Sequence, residues 1–404
     1  MAEKVGTSAE TKNFGGTMNT TQQGMILLLK SAITGEKLSL PEDFDLEAAL
    51  PEIKRHKIHT LAFQGAVNCG IPQSHPVMRQ LFQSYCQALA VSESQLREIQ
   101  RIYQAFDDNG IDYMPLKGCN MKARYPKPEL RLMGDADILI RMEQYEKIVP
   151  VMESLGFTFK CESDYDLCWQ SSGLYVELHR RLIASWNTDW TSYFDNWWEK
   201  AQCGNGTHYF MTPENEWLYL FTHFTKHFRD SGIGCRHVVD LWVFLRTHPD
   251  LDEGYIQHVL QDLWLLEFYK NIRQLISVWF ENGQPDEKTN LLEACVFASG
   301  GWGYESTRLI SWAIRDEKKL FGKNARFRYL WSYLFPDLHL MQIRYKILRK
   351  LPCLLPVMWI LRLGYKVIFD RQELKKKGQN LSVITEENIL MRRRILNFVG
   401  LDFH

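Results

Sequence analysis

The stretch Tyr125–Ile140 reads YPKPELRLMGDADILI, and its last seven residues decide the fold. GDADILI is a short apolar run opened by a glycine, the pattern of a buried strand. It nevertheless carries two acids, Asp135 and Asp137. Side chains alternate along a strand, so both acids lie on one face. Two carboxylates so close repel each other and lose hydration unless a cation sits between them. Magnesium takes carboxylate oxygens together with waters and substrate phosphates, and manganese favours the same donors. Asp-x-Asp is common by chance, so the surrounding segments carry the reading.

Upstream, IDYMPLKG (Ile111–Gly118) reads as a strand closed by a glycine turn, with CNMKARYP as two helical turns after it. A strand–glycine–helix turn presents backbone N–H groups to an anion, and Lys117 adds a point charge there. Downstream, EQYEKIVPVMESLGF is an amphipathic helix, and FTFKCESDYDLCWQ and LYVELHRRLI flank Ser171-Ser172-Gly173 as a hairpin. The second hairpin strand carries Glu177 between apolar residues. Three acids converge if its strand neighbours that of Asp135 and Asp137, and such a set suits two-metal phosphoryl or nucleotidyl transfer. The order strand, helix, strand, helix, strand, strand predicts an α+β fold with a small mixed sheet over 111–210.

Helical periodicity flanks this core on both sides, over 23–110 and over 211–404. The first region predicts a break near Ala90–Ser92 and a helix ending at Asn109-Gly110. Residues 1–22 are polar and Gly/Thr-rich and read as a disordered tail without a signal peptide. The nine cysteines show no paired spacing, which predicts a reducing, cytoplasmic setting. Net charge is zero, but residues 318–404 carry three Lys/Arg for each Asp/Glu. That asymmetry predicts an anionic partner for the basic tail, either a membrane surface or nucleic acid, against the simpler reading of a solvated helical face. LPCLLPVMWIL (Leu351–Leu361) is too short to span a bilayer. With Arg362, Lys366 and Arg371 after it, this stretch reads as a basic amphipathic helix, either peripheral at a membrane or packed on its own domain with its basic heads turned to water.

These motifs together resemble the nucleotidyltransferase superfamily of the DNA polymerase beta type, and within it an uncharacterised bacterial nucleotidyltransferase family. The resemblance rests on Leu116-Lys117-Gly118, Tyr125-Pro126, Arg131, the run Gly134–Ile140, and Val176-Glu177-Leu178-His179. It implies Mg2+ or Mn2+ on Asp135, Asp137 and Glu177, an NTP whose phosphates meet Lys117 and Gly118, and transfer of NMP to a hydroxyl acceptor. Two positions depart from the superfamily pattern: Lys117-Gly118 replaces the usual Gly-Gly or Gly-Ser, and the third acid is Glu instead of Asp. The helical segment containing His223 and His227 also looks like that family's, which implies a place along the nucleotide cleft. On spacing alone the two histidines share a helix face, open to a zinc site with His237 and Asp240 or to buried hydrogen bonding. Arg131 either pairs with Asp135 or reaches a phosphate. Arg236 and Asp240 read as an i, i+4 pair, and Asp164 and Asp166 as hairpin surface. His179 shares the face of Glu177, to touch substrate or to satisfy the acids. Trp186, Trp190, Trp197 and Trp198 suit core packing or base stacking.

Two other function classes fit part of the pattern. An Asp-x-Asp glycosyltransferase would use a nucleotide-sugar, although the Lys-Gly turn and Glu177 do not belong to that chemistry. A non-catalytic nucleotide-binding protein would act through partners of its basic tail.

Overall fold

The computed structural model describes residues 18–184, 188–204, 206–301, 303, 305–316, 325–345, 347–369 and 381–402. Trp186, most of the 1–22 tail, Arg371 and the lysine run 375–377 lie outside them. The described chain is α+β. Four helices come first: α1 (Thr20–Thr34), α2 (Leu46–Arg55), α3 (His59–Asn68) and α4 (Pro76–Asp108). Then come β1 (Tyr113–Pro115), the short α5 (Gly118–Met121), β2 (Ala136–Ile140), α6 (Tyr145–Ser154), β3 (Thr158–Glu162), β4 (Asp166–Gln170) and β5 (Tyr175–His179). Helix α7 (Thr188–Phe194) leads to a two-stranded ribbon, β6 (Gln202–Cys203) and β7 (Tyr209–Phe210). The rest is helical: α8 (Pro213–Asp230), α9 (Cys235–Thr247), α10 (Glu253–Asp262), α11 (Leu266–Phe280), α12 (Glu287–Ser299), α13 (Glu305–Asp316), α14 (Ala325–Leu334), α15 (Leu338–Arg344), α16 (Ile347–Lys350), α17 (Leu355–Phe369) and α18 (Glu386–Phe398).

The main sheet runs β1-β2-β5-β4-β3. Only β2 and β5 are parallel; the other neighbours are antiparallel. FTFKCESDYDLCWQ is therefore two strands, β3 and β4, and the sheet has five strands where the sequence pattern predicts four. The turn between them, Ser163-Asp164-Tyr165, holds neither Gly nor Pro; the Ser163 hydroxyl makes it by accepting from the Tyr165 and Asp166 amides. Residues Ile138, Ile140, Val176 and Leu178 fill one core with Ile99, Ile102 and Phe106 of α4 and Ile148 of α6.

Helix α4 does not break at Ala90–Ser92. Pro76 fits its first turn, where no intrahelical N–H is needed. Its first half packs Val77, Met78 and Leu81 into the large helical core, while its second half packs into the sheet core. Between them Gln95 donates to the Met133 carbonyl, 3.0 Å away, so a polar residue at the crossing is satisfied by the chain approaching β2. The large core runs from Met25 to Leu401 and joins the first helices with α8–α12. Helix α8 begins at Thr212, whose hydroxyl accepts from the Asn215 amide, with Pro213 at the first position and Glu214 and Glu216 in the first turn.

Candidate functional site

The site follows from the β2–β5 pairing. These strands are parallel with Asp137 opposite Glu177 and Leu139 opposite His179. Asp135, two residues before Asp137, lies just ahead of β2. The turn from β1 is fixed to the same strand, since the Leu116 amide donates to the Asp137 carbonyl at 3.0 Å. Lys117 follows with φ 40° and ψ −108°, a region that costs a non-glycine residue on the order of 1–3 kcal/mol. Its ammonium lies 2.6 Å from Asp137 Oδ1. Gly118 is needed for close approach, because a Cβ there would come within 3.0 Å of Arg131 Nη1 and 3.2 Å of Met133 Cγ. Helix α5 is only four residues long, so the turn, not a helix end, supplies whatever anion contact the backbone makes.

Asp137 is the hub. The same Oδ1 accepts from His179 Nε2 at 2.8 Å, and that nitrogen lies 3.6 Å from Glu177 Oε2. Burial would raise the Asp137 carboxyl, but Lys117 and His179 hold it well below the usual carboxylate range. Burial alone would lower Lys117; Asp137 holds the ammonium charged. His179 is held down by burial and by Lys117, so the imidazole is neutral and its Nε2–H donates. Glu177 makes no hydrogen bond with the described residues, and burial, then Asp137 and Asp135, push it up to about 7. Asp135 is raised by burial and then by Asp137.

This donor set fits a hard divalent cation. Ligand atoms of Asp137, Glu177 and His179 lie within 4.8 Å of one another. Asp135 lies outside that ligand group, but burial and then the repulsion among Asp135, Asp137 and Glu177 raise both Glu177 and Asp135, although Lys117 and Lys226 lie near. A second group, Asp166, Cys168 and Glu177, shares Glu177. Its thiol is pushed up to about 12 by burial, so it offers S–H and not thiolate and suits a hard cation less well. Asp166, read from sequence as hairpin surface, is half-buried on β4 opposite His179.

Helix α8 lies beside this site, close enough for Lys117 to act on His223 and Lys226. Glu216 holds it there by accepting from Asn120 at 3.1 Å and Arg124 at 2.6 Å. His223 and His227 bond each other through their Nε2 atoms at 2.9 Å. Burial pulls both below their ordinary range, helped by Lys117 for His223 and by Lys226 for His227. Among the described residues neither histidine belongs to a metal-ligating group. His237 stands beside them, its ring 6.2 Å from that of His227. Two residues not anticipated complete this wall. Lys226 is lowered to about 8 by burial and by Lys117, and lies 5.6 Å over the Tyr165 ring. Tyr165 in turn packs edge-on against His179 with ring centres 4.5 Å apart. The spacing His223-x-x-Lys226-His227 puts Lys226 on the histidine face, which was the available signal.

Arg131 pairs with Asp240 and not with Asp135. Its Nε and Nη2 donate to the two oxygens at 2.8 and 3.1 Å, and the Tyr125 hydroxyl donates to the same carboxylate at 2.7 Å. Arg236 donates to the Leu132 carbonyl at 2.9 Å. Trp190 and Trp197 are core residues, the former under the Arg229 guanidinium at 4.3 Å.

Among solved structures the chain is similar to the antibiotic-resistance factor ANT(2'')-Ia in solution, at 13% identity and a TM-score of 0.31, over 45% of this chain and 94% of that one. No curated protein matches. The family described as uncharacterised nucleotidyltransferase matches residues 42–281, from just before α2 to the end of α11 and through the whole five-stranded sheet, and the chain belongs to that family.

Proposed function

We propose that this nucleotidyltransferase-family protein moves NMP from an NTP to a hydroxyl acceptor, with Mg2+, or Mn2+ in its place, held by Asp135, Asp137 and Glu177. The observation that carries the reading is the parallel β2–β5 register, which sets Asp137 opposite Glu177 beside the Lys117-Gly118 turn. When bound, the metal ions would neutralise phosphate charge and hold the attacking and leaving oxygens in line. The protein's own groups divide the remaining tasks. Lys117, which pairs with Asp137 at the Gly118 turn, would meet the triphosphate there. His179 keeps Asp137 oriented through its Nε2–H. Glu177, ionised beside the cation, would position the acceptor hydroxyl and take its proton as the new O–P bond forms and pyrophosphate leaves. His223, His227 and Lys226 line the opposite wall, where neutral imidazoles and one ammonium can donate to phosphate or acceptor. Arg131, occupied by Asp240 beneath Gly118, positions the turn. The DNA polymerase beta-type relationship is part of the same proposal, supported by Asp137 and Glu177 opposite each other on neighbouring strands, with Asp135 just ahead of β2.

The test is incubation with α-labelled NTPs, Mg2+ and a cell extract, followed by mass spectrometry of the labelled product. Pyrophosphate release with NMP on the product is expected. Nucleoside diphosphate released from a nucleotide-sugar, with no pyrophosphate from any NTP, would overturn the reading in favour of glycosyl transfer.

A further inference from the structure

Helix α17 is inside out. Its charged residues, Arg362 and Lys366, are only 9% and 7% exposed, while Val357, Ile360, Leu361 and Ile368 are 50%, 71%, 59% and 64% exposed. Hydrogen bonds settle the orientation. Arg362 Nη1 donates to the carbonyls of Tyr333 and Leu334 at 3.0 and 3.3 Å, groups that the C-terminus of α14 leaves without helical partners. Lys366 Nζ donates to the Tyr333 hydroxyl at 2.6 Å, and Trp359 Nε1 to the Pro336 carbonyl at 2.9 Å. The basic side chains and the indole N–H of α17 are thus turned inward. Positions 357, 360, 361, 364 and 368 fall on one helical face, and the side chains there are apolar apart from Gly364. This arrangement is the reverse of the sequence-based reading, in which the basic heads reach water. Single exposed apolar residues are ordinary, but a whole outward face is not.

The surroundings identify what covers it. Leu351 just before α17 and Trp331 on α14 are also exposed, at 49% and 56%. Lys350 is exposed beside them, and Arg349 ties this region to the sheet's edge through Glu162 of β3. Residues 318–404 are strongly basic overall. Nucleic acid would call for outward-facing basic side chains, whereas α17 turns its own inward. A 15-residue helix is about 22 Å long, shorter than the hydrocarbon core of about 30 Å, and no helix among the described residues is long and apolar enough to cross a membrane. An apolar outer face with the exposed Lys350 just ahead of it, in a segment of net positive charge, matches a helix lying in the plane of an anionic bilayer surface.

We propose that the outer face of α17 docks this protein onto an anionic lipid bilayer. The inference is independent of the transfer chemistry. It is tested with the full chain by flotation with vesicles of phosphatidylcholine alone and of phosphatidylcholine mixed with phosphatidylglycerol. Binding to the anionic vesicles, weakened by salt, is expected. The double variant Ile360→Asp, Leu361→Asp should lose about tenfold or more of it, and the milder Leu361→Ser should lose part while both variants keep the wild-type unfolding transition. Absence of flotation with anionic vesicles, or flotation unchanged by the double variant, would overturn the proposal. So would light scattering that shows a dimer which the same substitutions split, because a second copy would then cover the face. Retention on nucleic acid in place of vesicles would do the same.

Discussion

Asp137 and Glu177 face each other across two strands, yet their surroundings set them apart. Asp137 takes two donors on one oxygen and stays ionised; Glu177 takes none among the described residues and sits at about 7. Pairs of acids driven apart in this way divide binding and proton transfer between them. The difference gives a pH prediction for the metal-free protein. The folded Glu177 carboxyl lies above its ordinary value of 4.5, so its contribution to stability is full below about pH 4.5 and is lost as pH rises through about 7. Glu177→Gln, in chelator, should therefore gain stability relative to wild type as pH climbs through that window and level off above it. Urea titrations across the range check this, and a stability difference flat with pH would contradict it. At this scale the sequence made part of the site legible: Asp137 and Glu177 stand out as acids among apolar neighbours, and the β2–β5 register sets them opposite each other, whereas Asp135, read as a strand residue, falls just ahead of β2. It left the convergence conditional, because alternation says which face a residue takes and not which strands are neighbours. Tyr165 went unseen for the related reason that nothing local marks it as a neighbour of His179, whereas Lys226 could have been read from its i+3 spacing to His223.

The joining of elements turns on one buried ion pair. Arg131, entering β2, and Asp240, on α9, are 109 positions apart and both buried. Removing one partner leaves an uncompensated charge, so Asp240→Ala should cost about 3–5 kcal/mol in chemical denaturation; a loss near that of a surface pair would contradict the assignment. The i, i+4 rule pairs Asp240 with Arg236 because that rule sees only one helix. The β3–β4 turn was invisible for another local reason: its geometry comes from the Ser163 hydroxyl instead of Gly or Pro. The predicted break in α4 failed the other way. The residues around Ala90–Ser92 do weaken the apolar stripe, but the helix there passes from one core to another, and tertiary contacts on both sides keep it continuous.

Among the described residues the first helices and α8–α12 share one core, which joins parts of the chain on either side of the sheet in sequence. Helices α1 and α3 meet at Gly65, where a Cβ would overlap the Leu28 backbone carbonyl. Gly65→Ala should destabilise the protein by about 1–3 kcal/mol through overpacking, within a single unfolding transition because the core is shared. Calorimetry checks both the shift and the cooperativity, and an unshifted midpoint or a separate early transition of the first helices would contradict them. The function proposed for the assembled molecule rests on the acids that this framework brings together. The most direct measurement compares NMP transfer from α-labelled NTP, with Mg2+ and the acceptor-containing extract, by wild type, Asp135→Asn and Asp137→Asn at matched folded concentration. A loss of more than about 100-fold in each variant is expected, exceeding what removal of an outer orienting group alone causes. Transfer by both variants at the wild-type rate would contradict the account.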